Sequence, residues 1–505
     1  MVSCVRGFRS FQSLRVTSAT VLAAADRREA RDFIRRFKRR ARIVILAFVG
    51  AIALAALAGC ATYRKLPLAV GSDLKANVAA LHTAVPVGPA IRHIDLARPL
   101  TIDQIGILAI LNDPDLKSER GTIDVARAGV VQATVIPNPV ANFSYGALIS
   151  GDATTSSLAA GLSQALAAII TRHARYKAAE LHLHQVNADQ LWREWQVAEK
   201  ARQLAADIYS VDRSIALTRQ EIALLSQEVA QVRKAISAGN LTLAAEAPLA
   251  AAQAVAENSL VTLKLNRLKH WQMLDGLLGL DPKVRFRIAR PVFDPVPRHI
   301  EPLLADLPDR RPDLAALRLG YDSADEEVRA AILGQFPALT VGGSYHKDTG
   351  DVITAGPTFN LALPVFDRNQ ARVGRTTATR LLLRAQYEAR LDRATADVRA
   401  LVAQIGQLSM DLIAARRAAA AAQTLAKTAR QAYSQNRLDE RSVTDYETTV
   451  LKRKLEVISI ERQIGENKIF LAVELGMGLP KARIALSTSR LGFRGLLNGN
   501  IGTQL

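Results

Sequence analysis

The chain has 505 residues, only 5% of them aromatic, with 66 Lys and Arg against 47 Asp and Glu and a formal net charge of +19. Ala, Leu, Arg and Gln are plentiful, which favours long helices over a bulky-cored globule. A basic excess of this size ordinarily points to nucleic acid. Here, however, the first sixty residues hold twelve Lys/Arg against three acids, so +9 of the +19 sits there. The rest is interleaved with Glu and Asp, as on a solvated helix face, and no basic patch interleaved with aromatics is present, so a nucleic-acid partner is excluded.

The N-terminal region reads as an address. A basic run at 35–42 is followed by an apolar run at 43–57 and then Leu57-Ala58-Gly59-Cys60. Basic, then apolar, then small residues is the order of a secretory signal, and the apolar run is shorter than the ~20 residues a spanning helix wants. The stretch before Asp26 fits neither signal nor fold. Leu57, Ala58, Gly59 and Cys60 resemble the lipobox of bacterial lipoproteins. That resemblance implies cleavage before Cys60, a covalent lipid on its sulfur, and, because Ala61 rather than Asp follows, sorting to the outer membrane. The only other cysteine, Cys4, would be lost on processing, leaving no disulfide.

Beyond residue 100 the chain says much the same thing twice. Arg233 and Gly279 recur as Arg430 and Gly476, each 197 residues on (430 − 233, 476 − 279), and Pro139 recurs as Pro337 at an offset of 198. A repeat this long is a duplicated structural unit. Each copy opens with a short helix, expected over about 114–133 and 312–332. The period then switches: Ala141, Phe143 and Tyr145 alternate with Asn142 and Ser144, and Leu339, Val341, Gly343 and Tyr345 alternate with Thr340, Gly342 and Ser344. Such alternation marks a half-buried strand. Returning strands are expected near 154–167 and 352–363, where Phe359, Leu361 and Leu363 alternate with polar residues. Four strands suit a small sheet on a soluble core or part of a lipid-facing barrel. Four cannot close a barrel, and open edges cannot sit in lipid, so the membrane reading requires several chains.

After each hairpin comes a very long helical run. Residues 172–238 contain no Pro or Gly, and 375–475 contain no Pro and only Gly406 and Gly465. Leu204, Ile208, Val211 and Ile215 keep heptad-like spacing, which Thr218 interrupts and which resumes at Ile222, Leu225, Val229, Val232 and Ile236, the pattern of paired coiled-coil helices. Turns are expected at Gly239, Asn240, Leu241 and Thr242 and at Asn436, Arg437, Leu438 and Asp439, because Gly and Asn end helices in the left-handed region.

Arg310-Arg311-Pro312-Asp313-Leu314, Phe336-Pro337-Ala338-Leu339, Gly343-Ser344-Tyr345, and the run from Phe359 through Pro364 to Gln370 together resemble the outer-membrane efflux protein family, TolC-like. The resemblance covers nearly all of the chain beyond the signal. It implies a mainly α fold with a β-barrel portion, built as two tandem repeats of β-hairpin plus long coiled-coil helices. Three chains would then form a twelve-stranded outer-membrane barrel and a periplasmic α-helical tunnel. It also implies a homotrimer working with a periplasmic adaptor and an inner-membrane pump of the RND type, the channel itself being a passive exit for small molecules or metal ions and not an enzyme. The run from Phe366 to Gln370 resembles the heavy-metal (cobalt-zinc-cadmium) branch, although the Gly expected near Ala371 is missing.

The resulting division is an N-terminal extension and signal at 1–59, a lipidated linker at 60–100, a first repeat at 101–290, a second at 291–480 and a tail at 481–505. Pro364 marks a strand-to-helix bend, and Ala167, in the matching place of the first copy, suggests a softer one. The two turns are the candidate adaptor-docking tips. The turn at Tyr433 resembles the family's Tyr-Ser-Val-Gly, with Asn436 in the Gly place. By the same resemblance Asp445 is a candidate channel constriction, with Ser442 where a first Asp would stand; a solvated helix carboxylate is the competing reading. His182 and His184, two apart on a helix, point to different faces and cannot share a metal. Trp192 and Trp195 read as helix packing. No phosphate loop, paired-His motif or nucleophile elbow occurs, so neither a catalytic residue, a metal site nor a cofactor other than the Cys60 lipid is expected. A protein-export conduit of the same architecture and a periplasmic adaptor or coiled-coil lipoprotein remain as alternatives.

Overall fold

The computed structural model describes residues 63–87, 90–152 and 155–477. The chain divides into two units, 1–72 and 73–505. The described part of the first, 63–72, holds no helix or strand. Leu57, Ala58, Gly59 and Cys60 lie outside the described residues, as does the tail at 481–505.

In the second unit a small hairpin, β1 (Ala84–Val87) and β2 (Ala90–His93), precedes three helices, α1 (Ile102–Asn112), α2 (Pro114–Glu119) and α3 (Gly121–Thr134). Then come β3 (Val140–Gly146), β4 (Ser157–Ala165), the long α4 (Ala167–Ser237) and its return helix α5 (Ala247–Leu278). The order recurs with α6 (Glu301–Ala305), α7 (Leu307–Arg310), α8 (Pro312–Leu333), β5 (Ala338–Lys347), β6 (Ile353–Ala362), α9 (Gln370–Ser434) and α10 (Glu440–Glu474). The single opening helix expected over 114–133 is broken at Arg120, just before Gly121, a poor helix former. Its counterpart α8 runs unbroken for 22 residues.

With no Pro or Gly in 71 residues, α4 spans roughly 105 Å at the standard rise. Its core-facing stripe includes Thr218, only 1% exposed, so the heptad register runs through that residue instead of being interrupted. The four long helices end alike. Gly239, Gly279, Asn436 and Gly476 all have positive φ. At each end the amide two residues past the last helical turn reaches back to a carbonyl: Asn240 to Ala235 and Arg437 to Ala432, both 2.8 Å, Leu280 to Asp275 at 2.8 Å, and Met477 to Ala472 at 2.6 Å. These are Schellman closures, which need a left-handed residue.

Two matching cores sit beyond the hairpins. Ala201, Ile208, Leu274 and Leu278 pack in the first, and Val398, Ile405, Leu471 and Leu475 in the second. Each pair is 197 residues apart (398 − 201, 475 − 278). The segment expected as a linker, 60–100, is strapped down from Lys75 onward. The Lys75 amide donates to Gly279 O at 2.9 Å and the Leu100 amide to Arg287 O at 2.9 Å, while Leu81 and Leu100 are buried in the first core. Backbone bridges of this kind leave no side-chain period, so the sequence reads as linker. The capping box of α1, with Thr101 accepting from the Gln104 amide and Gln104 accepting from the Thr101 amide, fixes where that strap turns into helix.

Candidate functional site

The four longer strands form one antiparallel sheet in the order β3-β4-β5-β6. The register aligns Phe143, Ala160, Tyr345 and Ala355 in one row and Ala141, Leu162, Gly343 and Pro357 in the next. Because side chains alternate across a strand, the large apolar residues other than Val140 fall on one face, with Leu158, Val341, Phe359 and Leu361 among them. Asn142, Ser144, Thr340, Ser344, Thr358 and Asn360 fall on the other. Gly342 is required by the packing of strands: a Cβ there would lie 2.3 Å from Leu162 O.

The apolar face is bare. Phe143 is 80% exposed and Phe359 70%, and every residue of β6 is exposed. The expectation of half-buried strands therefore holds for the alternation but not for the burial, because no helix among the described residues covers either face. β3 and β6 are outer strands, each with an open edge. Exposed apolar faces and unpaired backbone edges are both liabilities in water that a partner or a membrane must remove.

The strand-to-helix junctions differ between repeats. In the first, Leu166 alone separates β4 from α4, so the bend at Ala167 is direct rather than softer. In the second, Pro364 lies in a loop of residues 363–369 before α9 begins at Gln370.

At the far end of the helices, Gly239, Asn240, Leu241 and Thr242 are exposed, as are Asn436, Arg437 and Asp439, while Leu438 is half-buried. The two turns belong to one end of the bundle. Gln231 near the end of α4 donates to Glu440 at the start of α10 (2.6 Å), and Thr444 donates to the buried Glu228 (3.1 Å). Burial pushes the Glu228 carboxyl up, partly offset by the Thr444 hydroxyl. Asp445, next in sequence, is exposed, and its charge adds to the upward push on Glu228. Ser442 donates instead to Asp439.

The sequence missed a polar centre where α4, α8, α9 and α10 meet. Arg311 is fully buried. It donates to both oxygens of Asp313 (3.0 and 2.8 Å) and to Glu474, and Arg390 also donates to Asp313 (2.6 Å). Both guanidiniums lie over Trp192, at 4.8 and 5.5 Å from the ring centroid. Burial opposes ionisation of Asp313, but the two arginines hold its carboxyl below the usual range. Pro312 is the available signal: the residue before a proline is pushed to extended backbone, and Arg311 sits at φ −94, ψ 123, turned back from its helix. Trp192 and Trp195 do contact each other, at 6.4 Å between centroids. His182 and His184 are exposed, and no group of three metal-ligating side chains occurs among the described residues.

Residues 303–476, from the second core through the second hairpin and α9–α10, match the outer membrane efflux protein family. Over that third of its length the chain is similar to the outer membrane efflux proteins. Several solved structures share its fold. A membrane protein from Pseudomonas aeruginosa superposes with TM-score 0.63 at 18% identity, over 85% of this chain and 99% of that one. CusC, described in terms of folding and transmembrane channel formation, gives 0.62 at 16%, over 75% and 92%. The open-state MtrE outer membrane channel of Neisseria gonorrhoeae gives 0.61 at 16%, over 83% and 98%. No curated protein sequence matches. Efflux proteins of this family are channels rather than enzymes, and the two hairpin-plus-helix units set aside the adaptor reading, which has a single inserted hairpin.

Proposed function

We propose that this protein is the passive outer-membrane duct of a tripartite export system. The observation that carries the reading is the amphipathic four-stranded sheet with a bare apolar face and two open edges. In hydrocarbon every backbone group needs a partner, so the edges must meet those of other copies. Three chains give twelve strands, polar residues such as Asn142, Thr340 and Asn360 lining the lumen and Phe143 and Phe359 facing lipid. The long helices continue the wall into the periplasm. Their tips, Gly239 to Thr242 and Asn436 to Asp439, receive a periplasmic adaptor, which couples the duct to an RND-type inner-membrane pump. The lipid on Cys60 adds a second anchor. Cargo is small molecules or metal ions. The shared scores of CusC and the other channels leave the heavy-metal branch resting on Phe366 to Gln370 alone.

Asp445 repeated three times around the mouth would attract cations and repel anions. The test is conductance in a planar bilayer. The purified protein should give stable channels, and Asp445→Ala should weaken their cation preference. Absence of channels would refute the duct, and an unchanged preference would leave Asp445 a surface carboxylate.

A further inference from the structure

The loop between β6 and α9 is tightly built yet holds its largest side chains outward. Asn369 takes the left-handed conformation (φ 62) and its side chain donates to Ala331 O at 2.7 Å. Asp367 accepts from the Asn369 amide at 2.8 Å, and Gln370 accepts from the Arg368 amide at 2.7 Å. Against that fixed frame Leu363 is 70% exposed, Val365 62% and Phe366 93%. Arg368 and Arg375 follow, both exposed and without an ion pair among the described residues. The first repeat has no such loop, and its Arg172 and Arg175 are tied to Thr134 O and Thr171.

Phe359, Leu361, Leu363 and Val365 form one odd-numbered apolar series running off the sheet into the loop. The order away from the sheet is therefore apolar, aromatic, then cationic. That is the order of acyl chain, interface and phosphate met on leaving a bilayer, and it distinguishes lipid from a second copy of the chain, which would need no such gradient. We propose that residues 363–375 are an interfacial anchor, with Val365 and Phe366 set at the acyl boundary and Arg368 and Arg375 on phospholipid phosphates. This rests on the lipid-facing reading of the sheet.

The test uses the full chain in phosphatidylcholine vesicles with and without brominated acyl chains. Phe366→Trp and, on the sheet, Phe359→Trp are each compared with the protein's own three tryptophans. Both added emissions should be lost to the brominated lipid, and in Arg368→Gln/Arg375→Gln the loss at position 366 should shrink while that at 359 stays. Quenching at 359 without quenching at 366 overturns the anchor and leaves the barrel standing. A blue-shifted but unquenched Trp at 366 means a second copy covers the loop, which also overturns it. Quenching at neither position removes both the anchor and the lipid-facing sheet.

Discussion

The Arg311 guanidinium lies 4.8 Å from the ring centroid of Trp192, sealed from solvent and held by the carboxylates of Asp313 and Glu474. It pins the start of α8 to the end of α10 and to α4, at the end of α8 that lies about 33 Å along the helix from the strands. Arg311→Met leaves Asp313 buried with only Arg390 to compensate it. The expected loss is about 3–5 kcal/mol, read as a lowered denaturation midpoint in detergent. Arg311→Lys should also be costly, because an ammonium cannot make the two-pronged contact to Asp313.

Glu199 is near this centre. Burial, and then the Glu474 charge, push its carboxyl up to about 7, with Arg202, Lys200 and Arg311 opposing. The unfolded chain binds this proton only below the usual value of 4.5. Between 4.5 and about 7 the folded state holds more protons, so stability falls as pH rises through that window. Glu199→Gln should match wild type in mild acid and exceed it above pH 7 by on the order of 2 kcal/mol. Thermal midpoints taken at pH 5 and pH 8 check the sign.

Much of the fold is legible because its signals are local. The four strands show a period of two, and α4 lacks breakers for 71 residues. The four helix ends place Gly or Asn where a left-handed residue is required. The offset of 197 is legible because helices tolerate no insertion without rotating the buried face, so Ile208 and Ile405 keep matching seats. What the sequence hides is contact between distant segments. Trp192 and Arg390 meet across 198 residues (390 − 192), and no local pattern announces it. The strap from Lys75 to Leu100 is invisible for the same reason. For Asp445 the limit lies in the chemistry: a constriction depends on symmetry copies, and within one chain it is only an exposed carboxylate.

Gly465 shows a close approach that the sequence also conceals. A Cβ there would lie 2.5 Å from the Phe293 ring, which packs against α10. Gly465→Ala should raise helix propensity yet destabilise the protein by about 1–3 kcal/mol through overpacking. Phe293→Leu in the same chain should recover part of the loss, and additive losses in that double-mutant cycle would argue against the contact.

Cys60→Ala should abolish metabolic labelling by palmitate, since the acylation site is lost, while the barrel remains as the other anchor. Labelling that persists would refute the lipobox reading.

The number of chains in the assembly tests the central claim most directly. Native mass spectrometry of the detergent-purified protein, backed by chemical crosslinking, should show three copies, because β3 and β6 each leave an edge that only another chain can pair. A stable monomer, its sheet edges unpaired and its bare face content in detergent, would contradict the account.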